Sequence, residues 1–451
     1  MKKTHSDKSV PLTSDDYEAW FNQANALDDS SRYEEAIECF DKALQIKPDY
    51  HLAWNNRGIA LRKLGRFEDA IESYEKALQI KPDYLLAWNN RGTLLGKLGR
   101  FSEAIESFDH VLQIKPDKLD AWSSRGAALF KLGRFLEAVE SFDKVLQVKP
   151  DFHDVWYNRG YALFKSGRFE EAIKSYEKVL QIQPNYYLAW NNRGIAFGQL
   201  GHFEEAIKNY EKALQIKSDY HEAWYNRGNA FFSLGHPKDA IGNYEKALQI
   251  KPDYHEAWNN RAYALFKLRQ HEAAIESYEK ALQIKPDLYD VWNNRGYALK
   301  LLGHPKEAIE SYEKALQIKS DYHEAWYNCG NAFLSLGDYK KAIESYVRAL
   351  QINPDYHEAW NNRGIALDDF KHYEKAIESY ERALQIKQNY HLAWNNRGIA
   401  LKKLGRLEEA LSSFEKALQI KADYPLAQKN HQAIVEMLGN KSKSVFSFLK
   451  K

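Results

Sequence analysis

The sequence predicts an all-α protein built from tandem pairs of helices, and three observations indicate this. A tryptophan recurs every 34 residues without deviation. Apolar residues inside each 34-residue period follow helical spacing, and glycine and proline recur at fixed positions between the helical segments. A strict period of this length is typical of an array whose units pack mainly on their neighbours. The series contains all twelve tryptophans of the chain: Trp20, Trp54, Trp88, Trp122, Trp156, Trp190, Trp224, Trp258, Trp292, Trp326, Trp360 and Trp394.

One period, residues 51–84, shows how each element is predicted. Its first apolar segment has helical spacing and ends at Gly65, which suits the left-handed residue that follows a helix. The second segment is amphipathic and ends before Pro82, which cannot continue a helix. Asp83 is then placed to cap the next helix. Each period is therefore expected to form helix, turn, helix, turn.

A set of residues in this period resembles the tetratricopeptide repeat pattern, and the resemblance covers twelve periods from Tyr17 to Tyr424. The set consists of Trp54, Gly58, Leu61, Ala70, Tyr74, Ala77 and Pro82. The resemblance implies a right-handed superhelical solenoid of antiparallel helix pairs. It also implies a concave groove lined by the first helix of each pair.

The period and its two ends divide the chain into four predicted parts. These are a disordered N-terminal segment (1–16), twelve repeats (17–424), a C-terminal capping helix (425–440) and a basic tail (441–451). The basic tail is expected to be disordered. The alternative is that it docks onto a partner, a membrane surface or a neighbouring copy. Within the array, Arg269 and Lys371 replace the glycine that closes the first helix, so altered turns are expected there.

Composition excludes several classes of protein. The net charge is +2 and both signs alternate within each repeat, which argues against a dedicated nucleic-acid surface. The two cysteines, Cys39 and Cys329, form no metal motif or disulfide framework, and no stretch is apolar enough to span a membrane. These features favour a protein without cofactors, in the cytoplasm. The phosphate loops, metal motifs and nucleophile elbows of common enzymes are absent from the sequence.

A row of arginines departs from the family pattern, which usually has an apolar residue before the glycine. We expect each of them to pair with a neighbouring carboxylate or carbonyl, and a row that reads a ligand is the alternative. The row comprises Arg57, Arg91, Arg125, Arg159, Arg193, Arg227, Arg261, Arg295, Arg363 and Arg397.

An asparagine two residues after the tryptophan is the most regular candidate for ligand contact. Its side chain is both donor and acceptor, so a row of asparagines suits the backbone of an extended peptide. Bonding between neighbouring repeats is the alternative. The predicted peptide-binding asparagines are Asn56, Asn90, Asn158, Asn192, Asn226, Asn260, Asn294, Asn328, Asn362 and Asn396.

Two other sets vary among repeats and are candidates for specificity. Lys63, Lys97, Lys131 and Lys165 form a row that resembles, in part, the carboxylate clamp of chaperone-binding family members; a solvated row is the alternative. Tyr161, Tyr263 and Tyr297 belong to an aromatic stripe that either faces the groove or packs between first helices.

Histidines at one repeat position and acidic residues near the tryptophan are explained without a ligand. Seven histidines occupy one repeat position, and successive copies lie too far apart to share a metal, so we expect no metal site. The spacing of Asp253 and Glu256 indicates a capping box.

These observations predict a non-catalytic scaffold or adaptor that binds an extended polypeptide segment in its groove. The first alternative is a regulatory or targeting subunit of a separate enzyme, such as a protease or glycosyltransferase. RNA binding is a third hypothesis, which the near-constant asparagine row and the balanced charge disfavour. Self-association through exposed faces is possible in an array of this kind.

Overall fold

The computed structural model describes residues 16–448, with side chains for residues 16–439, and these residues form α-helices and no strand. Contacts divide the chain into two units, Met1–Ser218 and Asp219–Lys451. The predicted N-terminal segment lies outside the described residues, apart from Asp16. The all-α repeat array is confirmed.

The first unit contains six helix pairs. They are α1 (Tyr17–Asp29), α2 (Tyr33–Ile46), α3 (His51–Lys63), α4 (Phe67–Ile80), α5 (Leu85–Lys97), α6 (Phe101–Ile114), α7 (Leu119–Lys131), α8 (Phe135–Val148), α9 (His153–Lys165), α10 (Phe169–Ile182), α11 (Tyr187–Gln199) and α12 (Phe203–Ile216).

The second unit contains six further pairs and a final single helix. They are α13 (His221–Ser233), α14 (Pro237–Ile250), α15 (His255–Lys267), α16 (His271–Ile284), α17 (Tyr289–Leu301), α18 (Pro305–Ile318), α19 (His323–Ser335), α20 (Tyr339–Ile352), α21 (His357–Asp369), α22 (Tyr373–Ile386), α23 (His391–Lys403), α24 (Leu407–Ile420) and α25 (Pro425–Phe448).

Within each unit, the odd-numbered helix of a pair packs on its even-numbered partner and on the even-numbered helix of the preceding pair. Most consecutive odd-numbered helices also touch one another. They therefore lie side by side, and we call the surface that they present in each unit the first-helix face.

Small residues allow the two helices of a pair to approach closely. A Cβ atom added to Gly58 would lie 2.6 Å from Cε1 of Tyr74, which is fully buried. The alanines of the second helix, such as Ala70 and Ala77, are also fully buried. The predicted small and large residues therefore fit each other in the core of the pair.

The turn between the helices of a pair keeps one conformation, whether or not it contains glycine. Gly235 and Gly303 have φ values of 80° and 82°, and Arg269 and Lys371 have 60° and 62°. The amide of Gln270 donates to the carbonyl of Leu265 at 3.0 Å, as the amide of His304 does to Leu299. The expectation of altered turns was wrong, because the hydrogen bonds on both sides of the residue hold it in the left-handed region.

The aspartates in the linker between pairs do not cap the next helix. The N-cap residues are Tyr84 and Tyr254, which have no side-chain cap hydrogen bond, so Asp83 and Asp253 lie one residue too early. Glu256 lies in the first turn and pairs with His255. The predicted caps and capping box were therefore wrong.

The final helix, α25, continues the repeat pattern without its tryptophan. Gln428 stands one full period after Trp394, and its Nε2 donates to the carbonyl of Ala422 at 2.9 Å, as Trp394 Nε1 does to Gln388. Ile434 is fully buried against the last pair, as expected of a capping helix. The helix runs past residue 440 to Phe448, so the backbone of most of the predicted tail is helical.

Because glycine adopts positive φ without a steric penalty, replacing Arg269 or Lys371 with glycine should stabilise the protein. We expect a gain of about 1 kcal/mol at each position. Thermal unfolding of R269G and K371G measures this gain. Gly303→Ala is the reverse control and should lower the unfolding midpoint; an equal midpoint for all variants would show that the turn carries no strain.

Candidate functional site

The arginine that lies three residues after ten of the twelve tryptophans connects three helices, and Gln23 and Cys329 take its place in the other two repeats. Arg57 donates from Nε to Oδ1 of Asp41 on α2 at 2.7 Å and from Nη1 to Oγ of Ser73 on α4 at 2.7 Å. Its guanidinium lies 5.7 Å from the centroid of the Trp54 ring. The same three contacts recur at Arg125 and Arg159. The expected pairing with a neighbouring carboxylate is therefore confirmed. The arginine row belongs to the contact between neighbouring repeats, which we call the joint.

One arginine of the row lacks its carboxylate. Arg363 donates to Oγ of Ser379 at 2.9 Å, but the residue sixteen positions before it is Val347, and its buried Nε has no partner among the described residues. Burial lowers the pKa of Arg363. This joint consequently holds a cation without its usual counter-charge.

The asparagine row connects neighbouring repeats. Asn56 donates to Asn25 at 2.9 Å, Asn90 to Asn55 at 3.0 Å and Asn192 to the hydroxyl of Tyr157 at 2.9 Å. Asn328 and Asn396 donate in the same way to the preceding repeat, at 2.9 and 3.1 Å. Bonding between repeats, the alternative weighed for this row, therefore occurs in both units.

Members of the row differ in the hydrogen-bonding capacity that they retain. Asn260 donates to Tyr225 and Asn229 and accepts from Asn259. Asn362 has the equivalent three bonds. In the described part of the chain, by contrast, the side chains of Asn158 and Asn294 have no hydrogen-bond partner. Asn226, at the start of the second unit, is half-buried.

The aromatic stripe contains half-buried and exposed positions. Tyr157 packs edge-to-face on Tyr186 with ring centroids 5.3 Å apart, and burial raises the pKa of Tyr157 to about 12. Tyr263 and Tyr297 are each 40% exposed on the first-helix face. Both alternatives for the stripe therefore apply, at different positions.

Phenylalanine and tyrosine residues of successive first helices form pairs across the joint. Phe130 on α7 stacks on Tyr161 on α9 with centroids 5.1 Å apart. The equivalent pairs in the second unit are Phe232 with Tyr263 at 5.4 Å and Phe266 with Tyr297 at 5.7 Å. Each pair joins the residue eight positions after one tryptophan to the residue five positions after the next.

One cavity brings several predicted site residues together. Tyr263, Tyr297 and Asn294 line an opening of about 190 Å³ on the first-helix face, together with Phe266 and Lys267. The predicted lysine row did not include Lys267. Lys267 could have been identified from the sequence, because it lies nine residues after a tryptophan, as Lys63 and Lys165 do.

The lysines of the predicted row have different surroundings. Lys63 pairs with Asp28 at 2.8 Å, and the Nζ atom of Lys165 lies 5.4 Å from the ring centroid of Tyr161. Lys97 and Lys131 are exposed and have no ion-pair partner among the described residues. Both line a second cavity on the first-helix face, of about 280 Å³.

The described residues offer neither a metal cluster nor a membrane-spanning helix. They contain no group of three or more His, Cys, Asp or Glu residues that could hold a metal ion. Across residues 16–448, no helix is both long and apolar enough to cross a membrane.

Comparison with family models assigns nearly every repeat. A model described as tetratricopeptide repeat matches ten segments: 17–50, 51–84, 86–118, 153–186, 221–254, 255–288, 289–322, 323–356, 357–390 and 391–424. A second model of this type, a TPR repeat, matches 128–167 and 199–235, and a third matches 175–208. The comparison with curated proteins gave no match.

Several solved structures are similar to parts of this chain. MamA is 26% identical, with 36% of this chain and 94% of that chain covered and a TM-score of 0.35. YrrB, described as a TPR protein with an unusual peptide-binding site, is 22% identical, with 41% and 95% covered and a TM-score of 0.38. The APC/C hetero-tetramer Cut9-Hcn1 gives 15% identity, 93% and 96% coverage and a TM-score of 0.42.

Supplying the missing carboxylate should stabilise the joint at Arg363. Because Val347 occupies the position that carries Asp or Glu opposite the other arginines, V347E should raise the unfolding free energy by about 1 kcal/mol. Thermal unfolding and hydrogen exchange in α20–α22 measure the effect. V347Q is the uncharged control, and equal stability of the two variants would contradict the expected ion pair.

Two asparagines of the same row should respond differently to removal of the side chain. Asn260→Ala breaks three side-chain hydrogen bonds and should cost about 1–2 kcal/mol. Asn294→Ala breaks none, so its effect should stay within about 0.5 kcal/mol. Chemical denaturation of both variants measures the difference, and an equal loss would show that the bonds of Asn260 do not stabilise the joint.

Proposed function

Because the chain belongs to the tetratricopeptide repeat family and is a protein-interaction scaffold, we propose that it binds an extended polypeptide segment on its first-helix face. One observation carries this proposal. Tyr263, Tyr297 and Asn294, which come from consecutive first helices, surround one open cavity. An aromatic surface of this kind beside an unpaired amide suits an apolar side chain and the polar backbone next to it.

The residues on this face fall into two roles. The arginines and most of the asparagines hold repeats together, as shown by the bonds of Arg57 and Asn260. The residues left for a ligand are the exposed aromatics, the unpaired lysines and Asn158 and Asn294. The remaining asparagines with a single donated bond, such as Asn192, keep a second N–H for a peptide carbonyl.

A change of the cavity walls tests the proposed surface. The triple variant Tyr263→Ser, Tyr297→Ser, Asn294→Ala removes the aromatic walls and the amide without touching the arginine joints. We expect it to lose at least about tenfold in affinity for a partner captured from native lysate by the unchanged chain. Cross-linking mass spectrometry of the captured complex should place the partner beside Lys267.

A matched control comes from the second helices of the same repeats. Gln283→Ala, Ile284→Ser and Ile318→Ser alter exposed residues at the ends of α16 and α18. This control should retain the partner. Loss of the partner from the control but not from the cavity variant, or cross-links confined to second helices, would place the interaction elsewhere.

A further inference from the structure

The joint between the third and fourth repeats lacks the Phe–Tyr pair that occupies the same space at three other joints. Gly96 on α5 stands one full period before Phe130, and Ala127 on α7 stands one full period before Tyr161. Where Phe130 and Tyr161 stack at 5.1 Å, Gly96 and Ala127 leave the cavity of about 280 Å³. Small residues at both positions therefore leave an open cavity whose remaining walls include Phe101 and Phe108.

Those walls are suited to an aromatic ring. Phe101 and Phe108 line the cavity, with Thr93 and Ala128 beside them. In the next joint, Phe130 also lies 5.3 Å from Phe135, which is the equivalent of Phe101 one repeat later. A ligand ring at the position of this cavity that corresponds to Phe130 would therefore contact Phe101 as Phe130 contacts Phe135.

The mouth of the cavity is positively charged. Lys97 and Lys131 end α5 and α7, line the cavity and have no ion-pair partner in the described part of the chain. The other charged groups on the two helices are occupied or distant: Arg91 pairs with Glu75, Arg125 pairs with Asp109, and Asp120 lies at the opposite end of α7. A carboxylate that approaches the mouth meets two ammonium groups and no competing anion on α5 or α7.

We propose that this cavity is a subsite for an aromatic side chain of the bound segment, flanked in its sequence by Asp or Glu. The proposal rests on the function proposed above and adds the chemistry that one position of the ligand must have. The ring occupies the space that Phe130 and Tyr161 fill at the next joint, and the flanking carboxylates pair with Lys97 and Lys131. Burial of the ring supplies affinity, and the two charges fix its position along the face.

A variant that introduces the Phe–Tyr pair at this joint tests the subsite. Gly96 lies inside a helix, and a Cβ added there would be 4.0 Å from the nearest atom, the Cβ of Ala104. G96F/A127Y should therefore fold, with helix α5 strengthened by the loss of an internal glycine. Gly198→Phe makes the same kind of change at the same repeat position on α11 and serves as the control.

The probe is a random peptide library displayed on phage and selected in parallel on the unchanged full chain and on the two variants. Peptides that bind the unchanged chain and the Gly198→Phe control should carry an aromatic residue next to Asp or Glu. They should bind G96F/A127Y at least about tenfold more weakly. K97Q/K131Q should weaken the same peptides and reduce the salt dependence of their binding.

Two results would overturn the subsite. One is that peptides selected on the unchanged chain bind G96F/A127Y equally well and depend on Tyr263 and Tyr297 instead; the proposed function then stands and the subsite does not. The other is that no peptide is selected on the unchanged chain, which counts against both. Peptides with an aromatic residue but no acid, insensitive to K97Q/K131Q, would overturn the role of the lysines.

Discussion

The guanidinium of the arginine that lies three residues after ten of the twelve tryptophans is the contact on which most joints of the array depend. A repeat array has no distant core, because each pair of helices touches only its neighbours. Stability must therefore be supplied at every joint. Arg57 meets this need by joining a carboxylate of the preceding pair to a serine of its own second helix while lying over Trp54. The tryptophan indole is fixed in turn, since its Nε1 donates to the carbonyl of Pro48 at 2.8 Å.

A charged contact in this place also sets the register of the repeats. A half-buried guanidinium that has lost its water needs the carboxylate and the hydroxyl at fixed distances, whereas an apolar residue would tolerate a sliding neighbour. Removing one partner leaves the charge uncompensated, as at Arg363 opposite Val347. The asparagine row adds a second polar connection at the first-helix face. Together these contacts explain why a family position that is usually apolar is arginine in this chain.

Helix positions, turns and the large and small residues of the core could be predicted from the sequence because each depends on residues close in the chain. Gly65 and Pro82 end their helices through their own backbone chemistry. The contacts of Asn56 and Asn192 could not be predicted from the sequence, because they depend on the packing angle between successive first helices. The unchanged turn at Arg269 was missed for a related reason: propensity describes one residue, whereas hydrogen bonds on both sides of the turn decide its conformation. The predicted caps were wrong because the N-cap residue is a tyrosine, one residue after the aspartate.

The division between constant and varied positions indicates where function resides. Residues that hold the joint, such as Arg57, Ser73 and Trp54, recur in most repeats. The residues five, eight and nine positions after the tryptophan lie on the first-helix face and vary from Phe130 and Tyr161 to Gly96 and Ala127. The cavity at Gly96 and Ala127 lies beside Lys97 and Lys131, which have no ion-pair partner among the described residues, so a ligand can supply there the ring that Phe130 and Tyr161 supply at the next joint.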